Sequence, residues 1–182
     1  MAGKEIFMQK KLLAFIIIGV LVTSVLGTLF HFTYDWSGQN FLVGLFTPVS
    51  ESTWEHMKLL FFPMLLYGIL AAAFVKQDYP CVFNAYPLGI LSGTFAIPVM
   101  FYTYTGIVGR NYTPIDILIF YLSVILAFVI VYFETIRCQK LNSYLRKNPV
   151  IPWLLVLLLA ACFLAFCVVP PSLGIFREGL PR

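Results

Sequence analysis

Charge is what this sequence has least of. Of its 182 residues only 11% are Asp, Glu, Lys or Arg, against about a quarter in a soluble domain. Hydrophobic residues make up 60%, and the mean hydropathy is +0.90. So few polar groups cannot cover a water-soluble globule, and lipid is the expected solvent. The net charge of +4 is small, and no basic stripe with interleaved aromatics occurs, which argues against a nucleic-acid partner. Histidine is scarce too: His31 and His56 are the two. The four cysteines, Cys81, Cys138, Cys162 and Cys167, include no CxxC pair. A disulfide framework and a thiolate metal site are therefore not expected, and all four are taken as small buried hydrophobes. Phosphate loops and nucleophile elbows are also missing: "GIVGR" is not a phosphate loop, and Ser50, Ser52 and Ser92 have no triad context.

What the sequence does have is five apolar stretches, near 12–34, 53–75, 85–108, 114–135 and 150–169. Each reaches about the 20 residues that a spanning helix needs. The first follows Lys4, Lys10 and Lys11 but runs on past Gly27 through Phe30, longer than a signal-peptide core, so an uncleaved helix is expected. The expected fold is an all-α, polytopic bundle of five transmembrane helices forming a single domain over residues 1–182. With the N-terminus inside, the inner segments hold Lys4, Lys10, Lys11, Lys76, Arg137, Lys140, Arg146 and Lys147. The outer segments hold Lys58, Arg110, Arg177 and Arg182. That asymmetry predicts N-inside and C-outside. "FLVGLF" at 41–46 is too short to span and belongs at the outer interface. Gly89-x-x-x-Gly93 predicts close packing between helices of the chain.

The ionisable residues gather on one side. His31 and Asp35 are four apart at the outer end of the first helix, on one face. Glu51 and Glu55 are four apart at the outer start of the second, with His56 and Lys58 beside them. Tyr102 and Tyr104 end the third helix at this depth, and Asp116 begins the fourth. Ser52 and Glu55 have capping-box spacing. Acids at helix N-termini are favoured by the helix dipole, by about 0.3–1 kcal/mol each, and Phe32, Tyr34, Trp36 and Trp54 look like an interfacial aromatic belt. The dipole does not account for Asp35 at a helix C-terminus, or for His56 and Lys58 at an N-terminus. These are explained by pairing across the first two helices.

"GTLFHFTYDWSG" and "LFTPVSESTWEHMKLLFFP" resemble the signatures of an uncharacterised family of small bacterial polytopic membrane proteins, common in Firmicutes-type genomes. The resemblance centres on His31 to Pro63 and follows the helical layout of the whole chain. Relatives often carry Asn where Ser50 stands here. It implies a multi-pass protein of the bacterial cytoplasmic membrane and carries no established activity.

Three functions fit these residues. The first is an outward-facing pocket, lined by His31, Asp35, Glu51, Glu55, His56, Lys58, Tyr102, Tyr104 and Asp116, that binds or helps move a small polar ligand or ion. The second is a metal-dependent membrane hydrolase with Zn or Mn held by ligands drawn from His31, His56, Asp35 and Glu55. The third is an accessory subunit in which the cluster only latches two helices together. The lipid bilayer is the one partner expected; a homo-oligomer or a membrane partner stays open.

Overall fold

The computed structural model describes residues 2–140 and 149–177 of the chain. Among these there is no strand. The helices are α1 (Ala2–Trp36), α2 (Phe41–Gly44), α3 (Thr53–Val75), α4 (Val82–Val108), α5 (Thr113–Lys140) and α6 (Val150–Val168), followed by a 3-10 turn at Gly174–Phe176. Lys10–Trp36, Val82–Val108, Thr113–Lys140 and Val150–Val168 are long and apolar enough to cross a membrane, which marks the chain as a membrane protein. α3 is 23 residues long and begins where its apolar run was expected to begin. The short α2 is capped by Asn40, whose Oδ1 accepts from Leu42 N at 2.9 Å.

α4 and α5 form a tight antiparallel hairpin, and α1 packs on α3 and α5. Gly89 and Gly93 explain the closeness of that hairpin. A Cβ at Gly89 would meet Val131 Cγ2 at 2.4 Å and the Ala127 carbonyl at 2.7 Å; one at Gly93 would meet Ala127 Cβ at 2.6 Å. The core between the helices is filled by Leu60, Phe61, Met64, Val124, Phe128 and Val131, all fully buried.

Prolines inside membrane helices free carbonyls that neighbours must satisfy. Pro87 in α4 leaves the Phe83 carbonyl without its helical donor, and Trp153 Nε1 on α6 donates to it at 3.0 Å. Pro63 frees the Leu59 carbonyl, which lies against Gly27 of α1, where a Cβ would sit 2.4 Å from it.

One end of the bundle is polar in a simple way. Lys11 Nζ lies 2.6 Å from Asp78 Oδ2, Gln139 donates to the Asp78 carbonyl at 3.1 Å, and Arg137 faces Glu134 at 3.6 Å. Two expectations are corrected here and at the opposite end. Cys81 and Cys138 are not separate buried hydrophobes but a disulfide: the antiparallel hairpin brings the start of α4 to the end of α5, a proximity that local spacing does not encode. Trp54 is not a belt residue. It is buried, and its ring packs on Phe163, Phe166 and Phe176, sealing α3 to α6 and the C-terminal turn. The topology expectations for Arg146, Lys147 and Arg182 lie outside the described residues.

Candidate functional site

The opposite end is built by the segment joining α1 to α3. Ser52 Oγ accepts from Glu55 N at 3.3 Å, which is one half of a capping box. The other half is absent because the Glu55 carboxylate reaches further back, to Val49 N at 3.0 Å. The same oxygen, Oε2, takes Lys58 Nζ at 2.7 Å, and Lys58 also donates to the Gly44 carbonyl at 3.2 Å. Lys58 is 0% exposed. A buried charge needs a partner and saturated hydrogen bonding, and here both ions have them. Cys167 Sγ from α6 donates to that Gly44 carbonyl as well, at 3.3 Å.

His56 lies one residue beyond Glu55 and points the other way. Its Nδ1 is 2.9 Å from the Ser52 carbonyl. A carbonyl only accepts, so Nδ1 carries a hydrogen, and Nε2 is the nitrogen left to face the cavity rim, a donor when the ring is charged and a lone pair when it is neutral. This is the arrangement that orients metal-ligating histidines. Nε2 faces Glu51 Oε2 at 3.4 Å. From α1, His31 Nε2 approaches Glu51 Oε1 at 4.0 Å, and the two imidazole rings are 5.4 Å apart. The three donor atoms all lie within 4.8 Å of one another. Donors around a tetrahedral ion with bonds of about 2.0–2.1 Å stand roughly 3.3 Å apart. The Glu51–His56 separation already has that value. Glu51 is 71% exposed at its side chain, so its carboxylate has room to close the remaining gap.

These three residues sit at the rim of a cavity of about 710 Å³ between α1, α3, α4 and α5. Asp116, in the first turn of α5, lines the same cavity. Its carboxylate accepts from Tyr104 OH and from Asn111 Nδ2 at 3.3 Å, and Tyr104 OH in turn accepts from Tyr112 N at 3.0 Å. The remaining wall is mostly apolar, with Phe32, Leu59, Ile97, Phe101, Ile119 and Phe120 among its residues.

The structure thus divides the residues singled out from sequence. His31, Glu51, His56 and Asp116 share the cavity. Glu55 and Lys58 are turned away from it, toward α2 and α6, where Glu55 borders a smaller cavity of about 240 Å³. Asp35 stands exposed in the last turn of α1, and Tyr102 is exposed with its ring against Phe101; neither lines the cavity. Tyr104 belongs to the site through Asp116. Asn111 had no sequence signal beyond a glycosylation-like Asn-Tyr-Thr; its place beside Asp116 follows from the tight α4–α5 connection, where Gly109 takes a φ of 82°.

No curated protein and no solved structure matches the chain. A family of unknown function, DUF6512, matches residues 4–181, nearly its whole length. On that match the chain belongs to the DUF6512 family.

Proposed function

We propose that this protein binds a divalent transition-metal ion in an outward-facing pocket of a bacterial cell membrane. In this reading α3 is a fifth span, the N-terminus is inside and the C-terminus outside, and residues 1–182 form one domain. Lys11, Lys76, Arg137 and Lys140 then lie at the inner end, as the positive-inside bias favours. One observation carries the functional part: two imidazoles and a carboxylate converge within 4.8 Å at a cavity rim. Two nitrogens and one oxygen are a donor set for zinc that leaves a coordination position open, and manganese accepts the same donors. Leu60, Met64 and Phe128, fully buried, fill the bundle beyond the cavity, which favours binding over passage across the membrane.

Asp116 favours a second reading on the same site. It lines the same cavity as His31, Glu51 and His56, and with a metal held by those three it would be the carboxylate available as a general base for metal-assisted hydrolysis.

Metal content by mass spectrometry of the detergent-purified protein tests the proposal. About one zinc or manganese per chain, lost in His56→Ala, is expected. No metal in the wild type overturns it.

A further inference from the structure

The cavity has a polar end and an apolar wall, and that division bears on what it takes. Phe32 on α1 and Ile117 and Tyr121 on α5 line it, and they are 46%, 52% and 37% exposed rather than enclosed. Exposed lining residues on two neighbouring helices place the mouth of the cavity along their seam, on the side that meets lipid in the membrane reading. The opening lies between α1 and α5, which touch one another just inward, where Gly27 admits the Phe120 ring: a Cβ there would be 2.5 Å from Phe120 Cζ. At the same depth Thr28 and Tyr121 hydroxyls bond each other at 3.2 Å across the two helices, so neither is left unpaired in an apolar setting. Charge sets the other half. Glu51 and Asp116 bring two negative charges to the cavity. A divalent ion on His31, Glu51 and His56 balances them and still offers a position to an oxygen ligand.

We infer that the cavity's ligand is an oxyanion carried on a hydrocarbon chain. Its phosphate or carboxylate head meets the ion held by His31, Glu51 and His56, and its chain lies along Ile97, Ile119 and Phe120, having entered sideways from the outer leaflet between α1 and α5. This rests on the metal reading. A freely soluble anion would leave the apolar wall facing water, whereas an attached chain arriving from the leaflet exchanges one apolar surrounding for another and covers that wall.

The test uses the zinc-loaded full chain in detergent and native mass spectrometry, with dodecyl phosphate, inorganic phosphate and dodecanol as probes. Dodecyl phosphate is expected to bind at least tenfold tighter than either of the others, and its binding is expected to vanish in His56→Ala. Inorganic phosphate or dodecanol binding as tightly overturns the inference. Ile117→Trp, at an exposed position, fills the lateral opening. It is expected to keep one zinc per chain and to weaken dodecyl phosphate at least tenfold; unchanged binding overturns the sideways route. Zinc retained with no dodecyl phosphate bound defeats this inference alone, while a wild type that takes no zinc defeats the metal reading with it.

Discussion

Glu51 and Glu55 are four residues apart, one before α3 and one in its first turn, and their carboxylates serve different structures. Glu55 closes on Lys58 at 2.7 Å inside the protein, while Glu51 faces His56 at 3.4 Å at the cavity rim. The first pair is a structural tie and the second belongs to the pocket. Removing one member of a buried pair leaves the other uncompensated, at a cost of about 3–5 kcal/mol. Lys58→Met is therefore expected to lower the denaturation midpoint in detergent sharply. The double variant Glu55→Gln/Lys58→Met is expected to recover much of the loss, and a double variant no more stable than the single one would contradict the pairing.

His56→Ala should behave otherwise. It removes the hydrogen bond to the Ser52 carbonyl, worth about 1 kcal/mol net, and the 3.4 Å contact with the exposed Glu51 carboxylate, and the ring is only partly buried. Thermal unfolding is expected to change little beside Lys58→Met, while zinc binding disappears.

Zinc should also stabilise the wild type in a pH-dependent way. A ligand occupying the folded state at 100 times its Kd adds about 2.7 kcal/mol. Imidazoles bind metal only when neutral, so the gain is present above an ordinary histidine pKa of about 6.5 and is lost as pH falls through that range. Thermal unfolding with and without zinc at pH 7.5 and pH 5 checks this: a rise in the midpoint at the higher pH only is expected.

The Cys81–Cys138 bond closes a loop with a sequence separation of 57, for which unfolded-state entropy predicts a stabilisation of about 4 kcal/mol. Cys81→Ser, or reductant on the wild type, should lower the denaturation midpoint, and reductant should not affect Cys81→Ser further. This bond and the charge bias pull topology in opposite directions. The basic residues favour placing this end inside, where disulfides are uncommon; the orientation proposed above follows the charges. Alkylation of intact cells before lysis decides the matter. Both thiols alkylated after denaturation in alkylator agrees with an inner face, and a pair that resists until reduced reverses the orientation.

Gly93→Leu probes the α4–α5 hairpin. The added side chain would begin 2.6 Å from Ala127 Cβ and 3.0 Å from the Ser123 carbonyl, both backbone-proximal and unable to swing aside. Overpacking of this kind costs about 1–3 kcal/mol or more. A destabilised chain is expected. An equally stable chain with an altered oligomeric state would place this glycine face between copies instead.

Much of the helical layout was legible in the sequence because lipid demands long apolar runs and charge breaks them. α3 begins at Thr53, just after the Ser52 cap, as its sequence pattern predicts. The division between Glu51 and Glu55 was not legible. It depends on how residues 37–52 fold back, through a positive φ of 60° at Gln39, the Asn40 cap and the turn that brings Val49 N to Glu55. None of these has a period to read. The disulfide was hidden for a related reason: it reports which helices are neighbours, and helix pairing in lipid is set by close packing at glycines more than by any pattern of polarity. Trp54 misled because an aromatic at interfacial depth looks the same from sequence whether it faces lipid or, as here, Phe163 and Phe176.

A single backbone oxygen, that of Gly44, receives Lys58 from α3 and Cys167 from α6. The loop that presents Glu51 to the pocket is thereby moored to both helices at one point. Any shift of α6 relative to α3 must break one of these two bonds or carry the loop along, and with it the carboxylate that the histidines face. α6, which contributes no residue to the proposed metal-ligand cluster, holds a mechanical lever on its geometry.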